Sequence, residues 1–488
     1  MKNTKKVLSG VVAMAMLASF AACSDDTNTN TNTNSTGTTT EATTTTAVTV
    51  EVNTDTLKAE EQEALEGVME KLQDVELENK EIKWLAHYSL QPDGTGQSKS
   101  VGLEMFEQKY GGTIKEYLTT YGQHYNDLST YLISGEGIDF FMYDPGNFPM
   151  GVISGMFVPV DEYIDMNSDL WQYTKAGMEL FNFGGRYFMF VTSVDAEYMC
   201  FYNTKTIEDN GFDDPWELWE KGEWNWDTFR DMLVEFADPD NDMVGLDNWF
   251  FEKGLYTSSG ATAVNNIDGH IVSQLKDAQL AKAMEFGYDL YQNGCLIDMS
   301  LYNWSTQLQK MADGTELFDI TGVWQFTKAP ETWDAPIDPE YLGVVPVPSP
   351  AGSETYSGVS PNGYVLCKGA TNPQGVALYA ECCILGSMDE DAIAISDRKS
   401  MDDYKWSQEI VDRVKAVNDN ARLHPVFEFA GGVSNDVATY TVADGGIGVR
   451  APFHGSTWAE QVSQLADPVG LWVEEADNQL QAAIAEFN

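Results

Sequence analysis

Basic residues are scarce: the 488-residue chain has 28 Lys and Arg against 76 Asp and Glu, a formal net charge of -48 at pH 7. That field repels phosphate backbones and anionic head groups, which argues against nucleic acid as a partner and against polybasic attachment to a membrane. Histidine is rare as well, five scattered residues, so neither a histidine-built metal cluster nor a triad is indicated. Gly-x-Ser-x-Gly, His-Glu-x-x-His and a phosphate-cradling glycine loop are missing. The six cysteines show no repeated short spacing, so they give neither a zinc pattern nor a disulfide framework, and no pair stands out for a bridge. No apolar run is long enough to span a bilayer. What remains is 43% hydrophobic and 21% charged, the make-up of a globular body. At roughly 150 residues per domain, the length fits about three domains, or two with a non-globular extension.

Lys2, Lys5 and Lys6 precede an apolar stretch from Val7 to Phe20, which ends in Phe20-Ala21-Ala22-Cys23 and then the polar Ser24-Asp25-Asp26. Small residues directly before a cysteine resemble a bacterial lipoprotein signal. The resemblance implies that residues 1–22 are removed, that Cys23 is lipidated, and that the body is exported and held on the outer face of the cytoplasmic membrane. Thr and Asn dominate residues 23–56; such a segment cannot bury enough apolar surface to offset its ordering entropy, so it reads as a stalk. From 57 to 80, Leu65, Met69, Leu72 and Val75 recur at helical spacing, which predicts one amphipathic helix packed on the body.

Strand and helix then alternate. Glu81 to Leu90 reads as a strand running into a loop, and Thr113 to Leu118 and Ile138 to Tyr143 as strands, with helices over Val101 to Tyr110 and Tyr125 to Ile133. This predicts an α/β fold with a parallel sheet covered by helices. Ligands of such sheets sit beyond the carboxyl ends of the strands, which brings forward Tyr88, Tyr143, Asp144 and Asn147. Further on, Asn225 or Asp227 is placed to cap a helix, and Cys382 and Cys383 fall inside a helical run.

The series Phe201-Tyr202-Asn203-Thr204-Lys205, Gly211, Pro215 and Trp224-Asn225-Trp226-Asp227-Thr228-Phe229 resembles a segment of extracellular solute-binding proteins, the receptors of ABC importers, in their maltose-binding-like branch. Ile320-Thr321-Gly322-Val323-Trp324, Gly343 to Pro348, Gly358 to Leu366, Gly369 to Gln374 and Leu423-His424-Pro425 are similar to later segments of that family in the same order. The resemblance runs from Glu81 to Asn488. It implies a two-lobed α/β periplasmic-binding-protein fold of type II, with residues 81–194 and 347–415 in one lobe and 195–346 and 416–488 in the other, closing on a solute that is handed to permease subunits. It implies a monomer with no covalent chemistry.

A pyranose has apolar faces and a rim of hydroxyls, so a sugar receptor needs aromatic plates and planar polar groups. By the resemblance, Trp324 and Tyr143 are the plates, Asp144 and Asn147 bond hydroxyls, and Asp195 lies one residue from a family carboxylate. Tyr88, Tyr256, Asn362 and Arg422 join them for polarity and loop position. The repulsive field favours a neutral sugar or oligosaccharide. Asp238, Asp240 and Asp242 alternate as in a calcium loop, but Met243 and Trp249 stand where such a loop needs Gly and Glu; a solvated turn is preferred and no cofactor is expected. The competing classes are an exported glycosidase, for which no carboxylate pair can be singled out, and a bilobed sensory receptor without a permease.

Overall fold

A computed structural model describes residues 57–92, 96–247, 251–297, 308–333, 337–441 and 451–487, Thr332 by its backbone only. The signal, Cys23 and the stalk lie outside them.

Ile82, Trp84 and Leu85 are all buried because the strand that carries them, Glu81–Ala86, is covered on both faces, as a central parallel strand must be. Thr113–Leu118 and Phe140–Met142 flank it in parallel. Ser357–Leu366 pairs antiparallel with Phe140–Met142 and with Phe190–Ala196, and parallel with Pro425–Val426, completing a six-stranded sheet. A second, four-stranded sheet runs in the order Leu342–Val345, Met199–Asn203, Glu316–Thr321, Val244–Asp247. Met199–Asn203 is antiparallel to both neighbours, while Glu316–Thr321 and Val244–Asp247 are parallel. The chain leaves the large sheet at Ala196 and enters the small one at Met199. It returns between Val345 and Ser357. Helix Gln408–Leu423 packs on strands of both sheets.

The helix over Val101–Tyr110 starts at Ser100, whose Oγ accepts from Leu103 N, and stops at Gly111 with φ 62°, a left-handed cap that glycine adopts without strain. Helix Pro373–Met388 crosses it closely. A Cβ on Gly102 would stand 2.8 Å from Cys383 Sγ and 2.9 Å from Cys383 Cα, so only glycine admits this approach. Asn225 is the cap of Trp226–Phe236, its Oδ1 taking Asp227 N at 2.9 Å.

One expectation is corrected. The helix predicted over 57–80 covers only Ala59–Met69. Leu72 and Leu77 are still buried, but tertiary contacts replace helical ones: Lys71 pairs with Asp389, and Gln73 Nε2 donates to both oxygens of Glu381. Cys200, Cys295, Cys367, Cys382 and Cys383 are free thiols, and all but Cys383 are buried.

Candidate functional site

A cavity of about 920 Å³ opens between the two sheet-centred units. Tyr88, Asn362 and Tyr364 line it from the large-sheet side, Trp324, Thr327 and Lys328 from the other. Tyr88 follows the carboxyl end of Glu81–Ala86, where ligand loops gather in such sheets. Its ring meets Trp84 edge-on with centroids 5.7 Å apart, and its carbonyl accepts Trp84 Nε1 at 3.3 Å. Trp324 stands in the turn Val323–Gln325 after strand Glu316–Thr321. Gly322 lets the indole fold back, since a Cβ there would come 1.9 Å from Trp324 Nε1. Trp324 is 52% and Tyr88 44% exposed, large aromatic faces left open toward a concavity, which is where such exposure carries information.

Tyr143, Asp144 and Asn147 gather just after Phe140–Met142. The Tyr143 ring packs 5.9 Å from Phe181 and 6.2 Å from Phe427. Burial first, then the carboxylates of Glu197 and Asp144, push its hydroxyl well above the ordinary tyrosine value. The Tyr125 hydroxyl lies 2.7 Å from both Asp144 Oδ1 and Asn147 Oδ1. Asn147 departs from the expected role: it is fully buried and its Nδ2 donates to Met142 O at 2.8 Å, so its amide shapes the loop.

Asp195, Asn362 and Arg422 meet in one network where the chain passes between the sheets. Arg422 Nη2 is 2.7 Å from Asp195 Oδ1, and its Nε donates to Val194 O at 2.9 Å. Asn362 Nδ2 donates to Asp195 Oδ2 at 2.5 Å and to Ser193 Oγ at 2.8 Å. These polar groups satisfy one another instead of pointing jointly at a solute. Arg422 is on the last turn of helix Gln408–Leu423, not on a loop. Tyr256 likewise lies in helix Phe251–Ser258 and is wholly buried, because its ring fills the core beneath the crossing strands.

Residues 89–382 match the family described as bacterial extracellular solute-binding protein. The chain belongs to that family. Solved structures share its two-lobed type II fold at low identity. The sugar-binding protein MalE from Xanthomonas citri superposes with a TM-score of 0.57 at 13% identity, covering 83% of this chain and 99% of that one. An ABC substrate-binding protein from Listeria monocytogenes in complex with cycloalternan gives 0.56 at 13% identity, with coverages of 83% and 99%. A binding protein from B. animalis subsp. lactis in complex with beta-1,6-galactobiose gives 0.55 at 14%, covering 81% and 98%. No curated protein matches this chain by sequence.

Sequence reasoning missed several further residues of this solute-binding protein, of which His87 lines the cavity. His87 packs edge-on to Tyr88 and Tyr121, centroids 5.2 Å apart in each case, and His124 lies 5.2 Å from Tyr121. Burial lowers the pKa of both histidines, holding the imidazoles neutral. From the small-sheet side, Lys253 pairs with Glu197 at 2.6 Å and lies over the Tyr198 ring at 5.8 Å. Adjacency of His87 to Tyr88 was the available signal; Tyr121 and Tyr198 carried none among so many aromatics.

The three aspartates read as a weak calcium loop do not converge in this solute-binding protein. Asp238 Oδ2 takes Asn241 Nδ2 at 2.7 Å within the turn Pro239–Asn241, and Asp242 pairs with Lys310 at 2.7 Å. Among the described residues no group of three or more His, Cys, Asp or Glu is arranged to hold a metal ion.

Proposed function

We propose that the protein captures a neutral sugar or oligosaccharide between its lobes and delivers it to the permease subunits of an ABC importer, while a lipid on Cys23 tethers it outside the cytoplasmic membrane. In this reading one lobe is built on residues 81–194 with 347–415, joined by strand Pro425–Val426, which pairs in its sheet, and the other on 195–346 with the rest of 416–488, and the protein acts as a monomer and performs no catalysis. The observation that carries it is the pair of half-exposed plates, Trp324 and Tyr88, set on opposite sides of a cavity of about 920 Å³. Stacking on pyranose faces requires such plates. The solved relatives crystallised with cycloalternan and beta-1,6-galactobiose add support.

Trp324 and Tyr88 are the proposed stacking residues and Asn362 a rim contact, all three on the cavity wall; Tyr143 and the buried Asp144 stand outside that lining and are proposed to reach the solute once the lobes close. Asp195 and Arg422 act in the crossings, and Asn147 and Tyr256 support from beneath. Two of the lysines that line the cavity are matched by acids, Lys99 to Glu107 at 2.6 Å and Lys399 to Glu104 at 3.7 Å, which makes them poor anchors for a polyanion.

The test is a titration of intrinsic tryptophan fluorescence against a panel of neutral glycans, uronate oligomers, amino acids and peptides. A saturable change with neutral glycans is expected. A response confined to peptides or amino acids overturns the sugar assignment.

A further inference from the structure

The cavity does not end at the Trp324 and Tyr88 plates. It continues between the first turn of Val101–Tyr110 and the helix Glu390–Tyr404, over a floor formed by Cys383 and Gly386. Ser396, Lys399, Ser400, Asp403 and Tyr404 all line this arm, and their spacing of i, i+3, i+4, i+7 and i+8 puts them on one stripe of the helix. An inward stripe is ordinarily apolar. This one carries hydroxyls and two charged groups, and it faces a space instead of a packed core.

The charged groups are already occupied. Lys399 and Asp403 are 5% and 9% exposed. Lys399 Nζ donates to Lys99 O, and Asp403 Oδ2 accepts from both Ser98 N and Ser98 Oγ at 2.7 Å. Ser396 and Ser400 are short enough to leave room beside them. The arm therefore offers hydroxyls and one aromatic ring without a free net charge, the chemistry that bonds ring hydroxyls and not an anion. A cavity of about 920 Å³ sits at the upper end of the roughly 300–1,000 Å³ typical of ligand pockets, more space than one pyranose fills.

We propose that this arm is a second subsite, which takes the terminal ring of a neutral oligosaccharide whose inner ring stacks on Trp324. The proposal rests on the sugar-binding reading above and adds to it a minimum length and a direction for the guest. Shorter saccharides occupy the plates alone; longer ones reach Ser396 and Ser400 and cover Cys383, the one described cysteine that is not fully buried.

Two ladders test it, glucose to maltotetraose and galactose to beta-1,6-galactotetraose, titrated by calorimetry into the mature chain and into Ser400→Trp, which fills the arm. The expected result is that Ser400→Trp weakens the longest bound member at least tenfold and changes the monosaccharide less than twofold. In the unaltered protein, the longer members should slow modification of Cys383 by methyl methanethiosulfonate at least fivefold while the monosaccharide does not, with Cys383→Ser as the control for other thiols. This second readout stands if the tryptophan variant fails to fold. Binding of one ladder with equal loss at every length, or with Cys383 equally reactive throughout, overturns the arm and leaves the sugar reading in place. A chain that binds neither ladder overturns both.

Discussion

At the scale of single residues, the open indole of Trp324 and the enclosed carboxyl of Asp319 behave oppositely. Trp324→Ala should weaken glycan binding by about 1 to 3 kcal/mol through lost stacking area. Because the ring is 52% exposed, the melting temperature without ligand should stay nearly unchanged; a large drop in it would put the ring in the core. Asp319 sits in register with Asp247 on the neighbouring strand and is 2% exposed. Burial, then the Asp247 charge, raises its pKa well above the ordinary value. The folded pKa therefore exceeds the unfolded value of about 3.9. The stability contributed by its bound proton is complete below that value and is lost as pH rises through the raised one. Asp319→Asn, which cannot ionise and presents an amide to Asp247, should melt higher than the parent at pH 8, with the gap closing toward pH 4. Thermal melts across that range check it, and a variant less stable at pH 8 refutes the account.

At the scale of elements, the passage between the sheets is joined by side chains from each strand or helix that makes it. Asp195 belongs to Phe190–Ala196, Asn362 to Ser357–Leu366 and Arg422 to Gln408–Leu423. Arg422 and Asp195 are 34% and 27% exposed at their side chains, so the ion pair itself contributes at most about 1 kcal/mol to folding. Its larger effect should be on the balance between open and closed lobes. Arg422→Ala is expected to enlarge the radius of gyration of the ligand-free protein in small-angle scattering and to lower glycan affinity several-fold, with the melting temperature shifted little. An unchanged radius and affinity would reduce the network to surface decoration.

Much at this scale could be read from sequence. Val101 to Tyr110 and Thr113 to Leu118 match their observed bounds, because Ser100 and Gly111 punctuate the helix and the strand lies between clear turns. Residues 70–80 could not, since no breaker interrupts their helical spacing and only the contacts of Lys71 and Gln73 with distant acids end the helix. The site divides the same way. Tyr88 follows a strand whose end is recognisable and Trp324 stands in a segment with a family resemblance, whereas nothing in the sequence singles out the polar stripe from Ser396 to Tyr404, which only the fold turns inward.

At the scale of the whole molecule, the net charge of -48 makes the folded body repel itself. Raising ionic strength from about 0.01 M to 1 M shortens the screening length from roughly 30 Å to 3 Å, so the melting temperature should climb with sodium chloride. Indifference to salt would mean that the surface acids are locally compensated.

Strand order carries one more implication. The small sheet draws all its strands from the continuous stretch between Met199 and Val345, while the large sheet joins Glu81–Ala86 to Ser357–Leu366 and Pro425–Val426. A polypeptide made from its amino end thus yields the partners of its second unit before those of its first. The opening strands must wait, unpaired at one edge, until most of the translation product has emerged, so the large sheet closes late in synthesis.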